Sequence, residues 1–287
     1  MKQRIVLPLL LVFAVFASCK SEYDMLCASS DTDKKYEAAF NYYNQGKYEK
    51  AIRLFESLSI EVSGTERGDT VEYYKAMSNY KFKDYATAET NFESFATTYP
   101  RSPFTENARF LRVLCLYSST YRYELDQKPT SKCLGVIAEY LTDYPETQHL
   151  EACQKIIDDL SERMDKKAYE AARLYYKMED YQAARVALKN VLKEDADNRY
   201  REEILFYTAM SSFRYAYHSI PEKQKARYLE FVDDYLNFAG EYSESSYLPQ
   251  LQTLYKRAQK SLGKYSGTED ELNEKTKEFE RKLKKMS

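Results

Sequence analysis

The chain has 287 residues, 31% of them charged, with 7 Gly, 7 Pro, and 29 Tyr against no Trp. Its 43 basic and 45 acidic residues give a formal charge of −2, so there is no global basic field and nucleic acid is not an expected partner. Few turn formers and no sustained strand alternation place it among all-α proteins, with room for one compact domain or one short solenoid.

Lys2 and Arg4 make a basic start, and residues 5–17 form an apolar run interrupted only by Pro8. A transmembrane helix needs about 20 such residues, so residues 1–18 read as a secretory signal peptide. The run ends Phe16-Ala17-Ser18-Cys19, which resembles a bacterial lipobox. Such a signal implies cleavage before Cys19 and its modification with S-diacylglycerol and N-palmitoyl groups. Buried acyl chains contribute about 0.8 kcal/mol per CH₂, enough to hold a protein durably on a membrane. The plainer alternative is an ordinary cleaved signal peptide with a chance Cys nearby. Residues 19–32 are polar and unpatterned, and are expected to form a flexible tether.

Three stretches then repeat one pattern: Tyr48, Ala51, Phe55; Tyr85, Ala88, Phe92; and Tyr181, Ala184, Leu188. Each Ala is preceded twelve residues earlier by another small residue, Ala39, Ala76 or Ala172. This is the signature of a tetratricopeptide helix pair, whose unit is about 34 residues. Small residues let two antiparallel helices approach, and aromatics fill the gap to the next pair. The predicted architecture is an all-α tetratricopeptide-repeat superhelix of about five helix pairs with a terminal capping helix. The pairs cover residues 33–58, 69–99, a third closed by Tyr144-Pro145, 166–193, and 202–217 with 223–238. Tyr99-Pro100 closes the second pair. The third is stretched by an insertion at residues 121–129, and the fifth carries a longer loop holding Ile220-Pro221. Residues 246–262 read as the cap. Repeats 1–3 therefore occupy residues 33–160, and repeats 4–5 with the cap residues 161–262. The remaining segment, 263–287, has 13 charged residues among 25. Thr268 with Glu271 resembles a capping box, and Leu272, Phe279, Leu283 and Met286 fall near one stripe. It is either a solvated, frayed helix or one that orders on a partner.

Cys27, Cys115, Cys133 and Cys153 show no zinc spacing, and Cys133 and Cys153 take small-residue packing positions. A disulfide among them is left open. His149 and His218 lie in different repeats without a nucleophile pattern, and there is no glycine-rich phosphate loop, so no catalytic residue, metal or cofactor is expected. Asp158-Asp159 and Asp233-Asp234 are adjacent residues pointing about 100° apart on a helix, and read as solvated faces.

The lipobox, helix pairs, two Tyr-Pro stops and the Leu125-Asp126-Gln127 insertion together make residues 1–262 resemble the BamD family, the outer-membrane lipoproteins of the β-barrel assembly machine. The resemblance implies a non-enzymatic, lipid-anchored scaffold on the outer membrane, facing the periplasm. Its amino-terminal repeats would receive unfolded outer-membrane proteins. Its carboxy-terminal repeats would bind a BamA-type insertase through POTRA domains, together with accessory lipoproteins of the complex. Where the family places a basic residue against the insertase this chain has Ala187, with Arg185 and Lys189 beside it as partner-binding candidates.

In a tetratricopeptide pair the first helix lines the concave face. Counting from Ala39 and Ala76, that face should present Tyr36, Phe40, Tyr43, Tyr73, Met77 and Tyr80, a groove suited to a client peptide ending in an aromatic residue. The competing reading is that these rings only pack between repeats. Three other functions stay open: a SusD-like glycan-binding lipoprotein, which the lack of Trp and the chain length disfavour; an adaptor for cell-wall synthesis; and an enzyme whose residues converge only in three dimensions.

Overall fold

The computed structural model describes residues 22–264, 270, 273–278 and 281. Among them are twelve named helices and no strand: α1 (Glu22–Cys27), α2 (Thr32–Asn44), α3 (Tyr48–Glu61), α4 (Gly68–Phe82), α5 (Tyr85–Thr98), α6 (Thr105–Ser118), α7 (Lys128–Asp143), α8 (Leu150–Lys177), α9 (Tyr181–Glu194), α10 (Arg201–Tyr217), α11 (Pro221–Glu241) and α12 (Leu248–Leu262). The signal-peptide residues, Cys19 and the Thr268–Glu271 capping box lie outside the described residues. No described helix is long and apolar enough to cross a membrane.

The chain divides into two compact units. One holds α1–α7 and the start of α8 through Ile157; the other holds residues 122–125 and the described residues from Asp158 onward. Within the first, α2 pairs with α3, α4 with α5, and α6 with α7. In the second, the end of α8 leads into α9, α10 pairs with α11, and α12 closes the stack against α10 and α11. Five helix pairs and a cap are therefore present, the tetratricopeptide arrangement read from the sequence.

The small residues are where the pattern puts them. Ala39, Ala51, Ala76, Ala88 and Ala184 are fully buried and Ala172 is 4% exposed. Phe55, Phe92 and Leu188, four residues beyond their alanines, are also fully buried. Burying each such side chain contributes about 1.5–3 kcal/mol. The repeat length reappears in polar contacts. Asp33 with Arg67, Tyr73 with Asn107, Arg109 with Asp143, and Asp165 with the Arg199 amide all join residues 34 apart.

The turn inside three pairs is tight and left-handed. Gly46, Lys83 and Glu179 have φ of 72°, 67° and 63°. Each is followed one residue later by the N-cap position of the second helix; there Asp84 accepts from the Thr87 amide and Asp180 from the Ala183 amide. The capping carboxylate satisfies an orphan helix N–H, and only the first repeat supplies the glycine this backbone prefers.

Four details differ from the sequence reading. The segment expected to be a tether contains α1, which docks on the first pair: the Tyr23 hydroxyl donates to the Lys50 carbonyl at 2.8 Å and its ring meets Tyr42 edge-on at 5.5 Å. The first helix of the fourth pair does not begin near Lys166 but continues the 28-residue α8, which contains no Gly or Pro to interrupt it. Pro221 is not in a loop; it starts α11, where its missing N–H costs nothing. And Asp234 is buried at 8% exposure rather than solvated. The two Tyr-Pro stops, by contrast, end α5 and α7 at Tyr99 and Tyr144 in the same half-extended conformation, outside the α region that a following proline disfavours. Cys27, Cys115, Cys133 and Cys153 are all free thiols.

One ion pair fixes the first repeat. Lys35 is 3% exposed, and its ammonium reaches Glu61 at 2.5 Å and Ser57 at 3.1 Å across α2 and α3. The Lys35 hydrogen bond, followed by those from Thr32 and Ser57, holds the Glu61 carboxyl below its usual range. A depressed folded-state value contributes stability above the unfolded carboxylate range and loses it as pH falls through the folded value. Glu61→Gln should therefore cost about 1–3 kcal/mol in urea unfolding at pH 7. The gap from wild type should close as the pH is lowered below about 4.

Candidate functional site

Two surfaces, one in each unit, carry the residues singled out by the sequence. In the first unit, α2 and α4 place Tyr36, Phe40, Tyr43, Met77 and Tyr80 half-buried. Tyr36 and Phe40 lie 4.8 Å apart between ring centroids, and Phe40 meets Phe55 edge-on at 5.2 Å. Tyr73 does not join them. It is 6% exposed, stacked on Phe104 at 4.6 Å, and its hydroxyl accepts from Asn107 at 2.6 Å. It belongs to the core because the α4 residue turned toward α2 is its neighbour, Tyr74.

Tyr74 is the residue the sequence reading missed. Its ring contacts Phe40 at 4.8 Å and Tyr43 at 5.1 Å, both edge-on, and Phe104 at 6.4 Å. It packs against the cores of both the first and the second repeat. Such edge-to-face pairs are worth about 0.5–1.5 kcal/mol each beyond area burial. The signal available in the sequence was the doubled Tyr73-Tyr74, of which counting from Ala76 selects only the first. Met77 and Tyr80 sit against the second-repeat core, with Tyr80 facing Tyr85 at 5.7 Å. Burial, with Tyr74 and Tyr48 nearby, pushes the Tyr43 phenol up to about 12, and burial also raises Tyr80. Both stay protonated and can donate. At the α2 start the surface becomes polar: Arg67 pairs with Asp33 at 2.6 Å and lies 4.9 Å over the Tyr36 ring. Beside it is a cavity of 460 Å³ lined by Thr32, Asp33, Glu61, Val62, Glu66 and Arg67 among others. The arrangement offers aromatic edges flanked by phenol donors and one cation.

In the second unit, Arg185 and Lys189 stand one turn apart on α9, facing α11. Arg185 donates through Nε to Asp234 at 2.8 Å and through Nη1 to Glu230 at 2.7 Å. Lys189 reaches the other Asp234 oxygen at 2.5 Å, and the Ser212 hydroxyl donates to Asp234 from α10. The two bases expected to face a partner are thus tied together by one buried carboxylate. Lys189, 46% exposed along its side chain, keeps one side open, whereas Arg185 is 21% exposed. Ala187 is half-buried against the core of the fourth repeat. Beside the cluster lies a groove of 570 Å³, lined by Lys189, Lys193, Arg201, Asp233, Asp234 and Asn237 among others. Glu230 and Asp234 carried no motif; only the fold brings them to α9.

The same unit holds a second aromatic face. Arg173 lies 4.8 Å over Tyr207, pairs with Glu170 at 2.9 Å, and has its buried Nε without a partner. Among the described residues no group of three or more His, Cys, Asp or Glu could hold a metal ion.

Helix pairs of this spacing, with exposed aromatic edges in one unit and a charged groove in the other, define a tetratricopeptide-type scaffold. The profile of the outer membrane lipoprotein family YfiO matches residues 29–229, and the chain belongs to that non-enzymatic family. An outer membrane protein assembly factor BamD from Caulobacter vibrioides is 21% identical over 171 residues, 60% of this chain and 56% of the relative. This chain therefore spans little more than half the length of that relative. Among solved structures, the TPR2AB-domain complex of yeast Sti1 with pHSP90 is similar at a TM-score of 0.39 and 16% identity, over 80% of this chain and 99% of that one. A TPR protein of Thermus thermophilus gives 0.32 at 16% identity, over 79% and 98%.

The α9–α11 cluster makes a sharp stability prediction. Asp234→Asn leaves Arg185 and Lys189 without their buried counter-charge and should cost about 2–4 kcal/mol in urea unfolding. Asp233→Asn, one residue away but half-exposed, should stay within about 0.5 kcal/mol of wild type. Equal costs at the two positions would mean that Asp234 does not organise the cluster.

Proposed function

We propose that the chain is the scaffold lipoprotein of an outer-membrane β-barrel assembly complex. Its mature amino terminus is Cys19, carrying S-diacylglycerol and N-palmitoyl groups that tether the folded repeats to the outer membrane on its periplasmic side. The observation that carries the reading is the family match over residues 29–229, and the name of the Caulobacter relative points to outer-membrane protein assembly. The geometry fits such a task. The half-buried edges of Tyr36, Phe40, Tyr43, Tyr74, Met77 and Tyr80 suit an extended client segment with aromatic side chains. The phenol hydroxyls can pair with its backbone as its rings leave water.

The α9–α11 surface is assigned to a BamA-type insertase, approached through its POTRA domains, with accessory lipoproteins of the complex as further partners. Arg185 acts there as a positioning residue for Asp234, while Lys189 and the groove beyond it present the charge. Fixed charges at the edge of such an interface set partner choice and association rate more than affinity.

Two measurements test this. Tyr43→Ala with Tyr80→Ala, in a protein whose helical circular dichroism is retained, should weaken binding of a client carboxy-terminal peptide ending in Phe at least about tenfold by fluorescence anisotropy. Unchanged affinity would remove the first unit as the client site. Intact-mass analysis of the membrane-extracted protein should show cleavage before Cys19 with acyl chains attached, and Cys19→Ser should release the protein from the membrane fraction.

A further inference from the structure

The first helix of the fourth pair carries the same face as those of the first two pairs, with one change. Counted from Ala39, Ala76 and Ala172, the triplets are Tyr36, Phe40, Tyr43; Tyr73, Met77, Tyr80; and Tyr169, Arg173, Tyr176. The rings keep their geometry. Tyr176 meets Tyr181 edge-on at 5.6 Å, as Tyr43 meets Tyr48 and Tyr80 meets Tyr85 at 5.7 Å. Tyr176 also meets Tyr207 edge-on at 5.0 Å, as Tyr43 meets Tyr74 at 5.1 Å. The middle position departs: Phe in the first repeat and Met in the second become a guanidinium in the fourth.

The fold does not need that cation, since Phe40 and Met77 fill the same place with apolar side chains. Arg173 lies 4.8 Å over the Tyr207 ring, gives Nη1 to Glu170 at 2.9 Å, and keeps a buried Nε without a partner. An unmade hydrogen bond on a buried charged group costs stability and returns none. Glu170 is shared with Lys177 at 3.1 Å, so one carboxylate serves two cations. Arg214, exposed in the last turn of α10 and on the same helix face as Tyr207, donates to the Tyr176 hydroxyl. Glu203, one turn before Tyr207, bears on Tyr169, Tyr200 and Tyr247 instead. The outcome is a tyrosine pair with a guanidinium at each end, where Arg173, Lys177 and Arg214 outnumber Glu170.

We propose that Arg173, Tyr207, Tyr176 and Arg214 form a second peptide site, selective for an extended acidic segment with an aromatic side chain between its carboxylates. The carboxylates take the two guanidiniums in charge-assisted hydrogen bonds, and the ring packs on the tyrosine pair. The first unit offers rings and a thioether at the corresponding positions, so one scaffold reads uncharged aromatic segments in one unit and acidic ones in the other. This site involves neither the α9–α11 cluster nor any residue of the first unit, and does not depend on the role of either.

Fluorescence anisotropy with two amide-capped peptides tests it: Gly-Ser-Glu-Asp-Tyr-Asp-Glu-Ser-Gly, and the counterpart with Gln and Asn in place of the acids. The full-length protein should bind the acidic peptide at least about tenfold tighter than the neutral one. Arg173→Met, which installs the side chain of the second repeat, should erase that preference while the urea midpoint stays at or above that of wild type. Arg214→Gln should weaken acidic-peptide binding at least about threefold. Tyr43→Ala with Tyr80→Ala should leave the preference intact, so failure of the first-unit client reading is distinguishable from failure of this one. Equal affinity for the two peptides would overturn the proposal, as would a preference that survives Arg173→Met.

Discussion

Two α-helices can pack at about 8 Å only where neither carries more than a methyl group at the crossing. Ala39 with Ala51, Ala76 with Ala88, and Ala172 with Ala184 meet that condition, each pair twelve residues apart in sequence and buried in the fold. Almost everything else follows from it. The close crossing forces a short left-handed turn at Gly46, Lys83 and Glu179. It pushes the large residue four positions on into the next repeat, and it sets the 34-residue spacing at which Asp33 finds Arg67 and Tyr73 finds Asn107. A larger residue at any of these alanines would prise a pair open at a cost of about 1–3 kcal/mol and shift every contact that depends on the spacing.

The architecture was legible for that reason: alanine spacing, aromatic spacing and the Tyr-Pro stops are local signals that each repeat states again. The insertion at residues 121–129 was legible as an insertion. Its anchoring was not, since Lys167 donates to the Tyr123 and Leu125 carbonyls from more than forty residues away. α1 escaped for the same reason, because what turns a polar segment into a docked helix is the reach of Tyr23 to Tyr42 and Lys50.

The candidate sites were legible only in part. Counting along a helix identifies a face to within one residue, and at the doubled Tyr73-Tyr74 one residue separates a core ring from a surface ring. Phe104, on which Tyr73 stacks, decided between them from the next repeat. Adjacent carboxylates pose the same ambiguity. Asp233 and Asp234 are indistinguishable in sequence, yet one gathers Arg185, Lys189 and Ser212 in the interior while the other meets Lys275 outside. Charge pattern reports that a face is polar; which acid points inward is settled by cations on another helix.

Burial shields three of the cysteines from oxidation. Cys115, Cys133 and Cys153 are fully buried, and burial pushes the thiols of Cys115 and Cys133 up to about 12. At neutral pH such a thiol stays protonated, and the nucleophilic thiolate is scarce. An oxidising compartment offers many chances for mispairing and over-oxidation, and both begin with that thiolate. Once folded, the chain carries these three thiols in its interior as inert filling, and their exposure to oxidants is confined to the interval between emergence and folding.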